Sequence, residues 1–395
     1  MPRLAVDTDY LARILERLLN TPSPTGYTDS IVRMVVEELG RLGVDYELTR
    51  RGAIRARIAG AAEQPARAII AHVDTLGCQV RALKENGRLA VVPIGNWSSR
   101  FAEGGRVTIF TEAGAWRGTI LPLKASGHTY GDDVDTQPVN WDQVEIRVDA
   151  VVRNEADLAK LGFAIGDIVA VDPVPEFLDN GFIVSRHLDD KAGVAVMLAT
   201  LKALTEERAE LPVDTFFLFT IAEEVGVGAS AVLTKDVAAM VTIDNGTTAP
   251  GQASAEFGVT IAMADQAGPF DYHLTRKLIR LCREHDIRFQ RDVFRHYRSD
   301  SASAIEAGHD VRTALITFGI DASHGYERIH MHALRSLAEL TTAYATSAVE
   351  IERDALEVGP IAGFTSQPME DAPQAHVPAP PPQEQGRAQA ISTKR

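Results

Sequence analysis

Cysteine is scarce in this sequence: Cys78 and Cys282 are the only two in 395 residues, and they show no CxxC spacing. That excludes a disulfide framework and fits a reducing compartment. Aromatic residues make up only 6% of the chain, so the core must be aliphatic, drawn from the 45% of residues that are hydrophobic. No stretch approaches the ~18 apolar residues that a transmembrane helix needs. The opening run MPRLAVDTDYLARILERLLN carries Asp7, Asp9 and Glu16 where a signal peptide would be apolar. A cytoplasmic chain with no membrane partner is therefore expected. Positive charge is also short, with 40 Lys and Arg against 54 Asp and Glu for a net charge of −14. Such a surface repels a phosphate backbone, which argues against nucleic acid as a partner. Gly226-Val227-Gly228 is too short to cradle a phosphate.

What is present is alternation. Leu11, Ile14, Leu15, Leu18 and Leu19 recur at helical spacing, as do Ile31, Val32, Val35, Val36 and Leu39, with Thr28 or Asp29 as N-cap. Strands are expected at 46–49 and 54–58, and the apolar run AIIA at 68–71 suits a strand buried on both faces. From about 78 to 170 the texture changes to short alternating runs (LAVVP, RVTIFTE, WRGTILP, VEIRVDAVV, DIVAVDP) separated by Gly and Asn turns. This predicts a small all-β module inserted into an α/β chain. Helices are then expected over 191–204, 272–285 and 333–352, among strands FFLFT at 216–220 and MVTI at 240–243 and the runs VTIAM and VRTALIT. The pattern gives an α/β fold with a doubly wound, largely parallel sheet. Its parts are a catalytic segment 1–77, a β insert 78–170, a second catalytic segment 171–355 and a disordered Pro- and Gln-rich tail 356–395.

The chemistry sits where the apolar strands end. AIIA runs into His72-Val73-Asp74, FFLFTIA into Glu223-Glu224, and MVTI into Asp244. Sites in open α/β sheets form outside the carboxyl ends of strands. HLDDKAG adds Asp189 before a helix, and SHGYE adds His324. Two divalent ions need one carboxylate that spans them and an imidazole and carboxylate for each, and His72, Asp189, Glu224, Asp244 and His324 meet that demand. Nitrogen and oxygen donors without thiolate suit two ions of zinc, with cobalt or manganese as alternatives. One carboxylate of the Glu pair can face the attacking water, and Asp74 can fix the tautomer of His72.

The segments AHVDTLG, SRHLDDKAG, IAEEVGVGA, VTIDNG and SHGYERIH resemble the five motifs of the tetrahedral, or glutamyl aminopeptidase-like, family of dinuclear metallopeptidases. The resemblance spans roughly residues 8–352. It implies a zinc exopeptidase-like fold and an aminopeptidase acting on short peptides. It makes Asp189 the bridge between a His72–Asp244 position and a Glu224–His324 position, with Glu223 the general base and Asp74 the residue that orients His72. It also implies homo-oligomers built from dimers, up to a dodecamer, with the β insert serving assembly and access. Tyr297, Arg298 and Asp300 are candidate substrate residues by the same resemblance, and Tyr326 and Glu327 lie beside the last motif. Thr75, Lys191 and the ASHGYE segment depart from the family pattern and resemble a subgroup associated with the osmoprotectant N-acetylglutaminylglutamine amide. Two other readings stay open: hydrolysis of a small N-acyl dipeptide by the same site, and a catalytically idle scaffold or binding protein.

Overall fold

The structure is a computed structural model that describes residues 4–368, and the chain divides into two units after residue 350. Most of the tail expected over 356–395 lies outside the described residues. The second unit carries, among the described residues, one short 3-10 turn, Glu352–Ala355.

The first unit is organised by a nine-stranded sheet. Four strands at its centre, Val213–Thr220, Ala62–His72, Val237–Thr247 and Arg312–Ile320, run parallel in that spatial order. Val213–Thr220 is buried at every position, which is why it reads as an unbroken apolar run. The edges are antiparallel: Ile54–Ile58 and Asp45–Leu48 extend one side, and Val259–Asp265 pairs antiparallel with Arg312–Ile320 on the other. Phe289–Val293 then lies parallel to Val259–Asp265. The mixed edges let the parallel strands keep the interior, where both faces are covered.

Helix Leu188–Glu206 packs on strands Ala62–His72 and Val237–Thr247. Its Val, Ala, Leu and Met side chains are buried almost all round, and it contacts helices Thr8–Leu19, Asp29–Leu42 and Met331–Thr346 on its outer side. Met331–Thr346 is shorter than the 333–352 expected from periodicity. Thr341, Thr342 and Thr346 each return a hydroxyl to the carbonyl four residues earlier, and Ser347 is already extended. Thr28 occupies the N-cap of Asp29–Leu42, but its side chain makes no capping bond.

The β insert is a closed antiparallel barrel of six strands: Gly77–Leu83, Leu89–Ile94, Arg106–Thr111, Gly114–Pro122, Val144–Val148 and Ile168–Val171. It has its own core, including Val80, Val91, Val107, Ile120, Ile146 and Val169. Cys78 is sealed within it, and burial pushes its thiol up. Among the described residues no helix is long and apolar enough to cross a membrane.

Glu38 ties the first two helices together. Its buried carboxylate accepts from Tyr10 Oη at 3.0 Å, Arg17 Nη1 at 2.8 Å and Arg41 Nη1 at 3.0 Å. Burial opposes its charge, yet the bonds from Arg17, Tyr10 and Arg41 outweigh burial and hold it below the usual carboxylate range. The stabilisation is therefore full above the unfolded pKa and is lost as pH falls through the folded one. Glu38→Gln should lower unfolding free energy at pH 7 by about 1–2 kcal/mol, the arginines being half exposed. The gap from wild type should close in acid. Denaturant unfolding at both pH values checks this, and a pH-independent gap would refute the ionic account.

Candidate metal centre

All four parallel strands deliver a candidate residue near their carboxyl ends. His72 closes its strand in register with Thr220, and Val73 N donates to Thr220 O at 2.8 Å, so the two ends stay level. From Thr220 the chain turns through Ile221 and Ala222 to Glu223 and Glu224. Asp244 lies inside its strand, which runs on through Asn245 and Gly246 despite their turn-like composition. After Arg312–Ile320 the chain folds back through two left-handed residues, Ala322 and His324. Asp189 comes from the front of Leu188–Glu206, where it and Asp190 have non-helical dihedrals and a cis peptide joins them.

These ends converge. Asp189 Oδ1 is 3.2 Å from His72 Nε2, and Asp189 Oδ2 is 3.2 Å from His324 Nε2. Each oxygen of one carboxylate thus serves a different imidazole. Glu223 Oε2 lies 3.8 Å from His72 Nε2, and Glu224 Oε2 lies 3.9 Å from His324 Nε2. Two donor groups result, His72–Glu223–Asp244 and Asp189–Glu224–His324, each with its donor atoms within 4.8 Å of one another. Both rings are turned the same way. His72 Nδ1 is 2.9 Å from Asp74 O, and His324 Nδ1 is 2.9 Å from Asn96 O. A carbonyl can only accept, so Nδ1 carries the proton and Nε2 faces the carboxylates.

The electrostatics suit a site built to hold divalent cations. Burial and neighbouring acids push Glu223 and Asp244 well up, and Glu224 up to about 8. Burial opposes charge on both imidazoles, but contact with Asp189 raises His72 well above its ordinary value and His324 to about 10. Burial likewise works against Asp189, yet hydrogen bonds from His324 and His72 hold it below the carboxylate range. Among the described residues no Lys or Arg side chain forms an ion pair with any of the six groups. Protons must then balance this cluster unless divalent ions do. Two imidazoles and four carboxylates, without thiolate, form a hard-to-borderline donor set suited to such ions.

Around the cluster, backbone is held by carboxylates. The expected link from the Asp74 carboxylate to His72 is a loose one, 3.5 Å from Oδ1 to Nδ1, and the closer partner is Asp74's own carbonyl. The Asp74 carboxylate is occupied elsewhere: it accepts from Glu223 N at 3.1 Å, Glu224 N at 3.3 Å and the Thr25 hydroxyl at 2.6 Å. It therefore fixes the Glu pair as much as the histidine. Glu327 accepts from Asp189 N at 3.2 Å and His324 N at 2.9 Å, joining those two backbones. Lys191 is buried, donates to Thr21 O at 2.7 Å, and is pushed by burial down to about 7.

A cleft of about 690 Å³ opens over the cluster, with Tyr297 and Arg298 in its wall. Tyr297 Oη donates to Asn245 O at 2.9 Å, and Arg298 pairs with Glu306. Asp300, expected beside the substrate, is instead only 2% exposed and is not among the cleft's lining residues. It accepts from Ala229 N at 2.8 Å and from the Thr220 and Ser303 hydroxyls, which pins the loop leaving Glu224. Gly228 is required there, because a Cβ would stand 2.2 Å from Asp300 Oδ1. Sequence reasoning missed Asn245, whose Nδ2 donates to Asp189 Oδ2 at 2.7 Å. It also missed Asn96, whose contribution is a main-chain carbonyl with no side-chain signature.

Comparison with known proteins agrees with this architecture. Residues 52–340 match the family model described as M42 glutamyl aminopeptidase. The chain is 37% identical over 335 residues to the YhfE protein of Bacillus subtilis (strain 168), an aminopeptidase by name, covering 85% of this chain and 96% of that one. Among solved structures, the TET1 peptidase of Pyrococcus horikoshii, reported to assemble into a tetrahedron or a large octahedral shell, superposes with a TM-score of 0.75 at 21% identity. That match covers 86% of this chain and 100% of that one. A TET aminopeptidase from the marine sediment archaeon Thaumarchaeota archaeon SCGC AB-539-E09 gives a TM-score of 0.78 at 17% identity, covering 86% of this chain and 96% of that one. At these identities the two structures speak for the fold.

Proposed function

The chain belongs to the M42 glutamyl aminopeptidase family, and on that premise we propose that it is a dinuclear metal-dependent aminopeptidase that removes N-terminal residues from short peptides. The observation that carries this reading is the placing of Asp189, one oxygen toward His72 and the other toward His324, each at 3.2 Å. His72 and Asp244 would hold one ion, Glu224 and His324 the other, and Asp189 would span them. Zinc suits this set best, with cobalt and manganese as substitutes.

When bound, such ions supply a water acidified to near neutral pH and a polarised scissile carbonyl. The chain's own residues do the rest. Glu223 takes the proton of the attacking water and delivers it to the leaving amine. Asp74 keeps the Glu223 and Glu224 amides in place, so base and ligand cannot exchange positions easily. Tyr297 and Arg298 are positioned to line the substrate's path. The TET1 peptidase of Pyrococcus horikoshii, which can assemble into a tetrahedron, supports assembly into a homo-oligomer, which light scattering would register as a multiple of 42.8 kDa.

Substrate class is decided by one panel. Free dipeptides and tripeptides should be hydrolysed, and the same peptides N-acetylated should be hydrolysed at least about tenfold more slowly, since burying an uncompensated acyl group at the amine site costs binding. Preference for the acetylated set would reassign the protein as a hydrolase of small N-acyl dipeptides.

A further inference from the structure

The two metal positions are not built alike. His72 is 2% exposed, sits in the central sheet, and takes its orienting carbonyl from Asp74, two residues along the same segment. The side chain of His324 is 30% exposed, and it takes its orienting carbonyl from Asn96, a residue of the barrel 228 positions away in the chain. One position is thus made by the α/β sheet alone, and the other is completed by the barrel.

The barrel segment that supplies this carbonyl is itself fixed. Trp97 is buried, and its Nε1 donates to Gly77 O at 3.2 Å. Trp141 packs edge-on against it, with ring centroids 4.8 Å apart, and donates its own Nε1 to Trp97 O at 3.1 Å. Gly95 adopts a left-handed φ of 81°, and a Cβ there would stand 2.4 Å from Leu76 Cδ2 and 3.5 Å from Glu224 Oε2. The segment 95–97 therefore rests on both Glu224 and His324, the two ligands that belong to the second position and not to the first.

We propose that the barrel is a latch on the second metal position: the main-chain carbonyl of Asn96, held by the Trp97–Trp141 pair, positions His324 and sets the affinity of the Asp189–Glu224–His324 group without acting on the His72–Asp244 side. This rests on the dinuclear reading above. A ring that loses its Nδ1 acceptor can rotate or change tautomer, and partners of this kind are worth about 10- to 100-fold in metal affinity.

The test is zinc titration of the metal-stripped full chain against a chromophoric chelator, for wild type, Gly95→Ala, Trp141→Phe and His324→Ala. Gly95→Ala displaces the segment, and Trp141→Phe removes only the bond to Trp97 O while keeping a ring. Wild type should take up two ions. Both variants should stay folded at the titration temperature, leave one ion's affinity unchanged, and bind at least about tenfold more weakly the ion that His324→Ala also weakens. Adding Trp141→Phe to His324→Ala should change nothing further, because the Trp97–Trp141 pair acts through that ring. If wild type binds two ions and both loop variants match it, or weaken both ions equally, the latch is wrong and the dinuclear reading stands. If wild type binds no ion, the dinuclear reading falls and the latch with it.

Discussion

Glu223→Gln is expected to lower kcat by about a thousandfold, within the range a positioned general base contributes, while the chain keeps both ions and its KM changes little. The substitution preserves volume and one oxygen but removes the proton acceptor. It is informative because the geometry permits two roles. Glu223 shares a donor group with His72 and Asp244, and its Oε2 lies 3.8 Å from His72 Nε2. A ligand would be lost together with its ion, whereas a base would be lost with the ion still bound. Measuring kcat and metal content on the same preparation separates them. Near-normal turnover would remove Glu223 from the mechanism altogether, and loss of an ion would make it a ligand.

Asp189→Asn should have the second large effect, on binding before chemistry. Among the described residues Asp189 is the one carboxylate in contact with both imidazoles, and it alone among the clustered acids is held below the usual carboxylate range. Asparagine keeps a single acceptor oxygen and no charge, so it cannot serve two cations at once. At a zinc concentration that saturates wild type with two ions per chain, the variant should hold fewer than one, and activity should fall below detection. Retention of two ions would show that the positions are independent of Asp189 and that the carboxylate only links the two imidazoles.

What was legible in the sequence follows from how parallel sheets are made. A strand covered on both faces must be apolar along its length, so AIIA, FFLFT and MVTI stand out, and the first polar residue after each marks the edge where the candidate residues gather. That logic located His72, Glu223, Glu224 and Asp244. It placed Asp189 and His324 only through their neighbours, since neither sits in a strand. The barrel was legible as a change of texture, although Gly77–Leu83 was not, because GCQVRAL alternates poorly and its Cys78 gives no strand signal.

The remainder was hidden for physical reasons. Asp244-Asn245-Gly246 has the composition of a turn, but nine consecutive pairings with Arg312–Ile320 override that local preference. Asn245 then lies beside Asp189, a contact no local spacing could announce. Asn96 contributes a backbone oxygen, which every residue has. The family resemblance puts Asp300 beside the substrate with Tyr297 and Arg298, yet it opens the short helix Asp300–Glu306 and turns inward to Ala229 and Thr220. Three residues of separation at a helix start are enough to move a side chain from the cleft wall to the core.

The most direct test of the account is a count of divalent ions per chain, made alongside activity through chelation and restoration. Wild-type protein should carry two ions per chain when active, lose all peptidase activity as a chelator removes them, and regain it only as zinc, cobalt or manganese is returned. Undiminished activity in metal-free protein, or full activity with a chain that never binds more than one ion, would contradict the two-ion centre on which the proposed function and the latch depend.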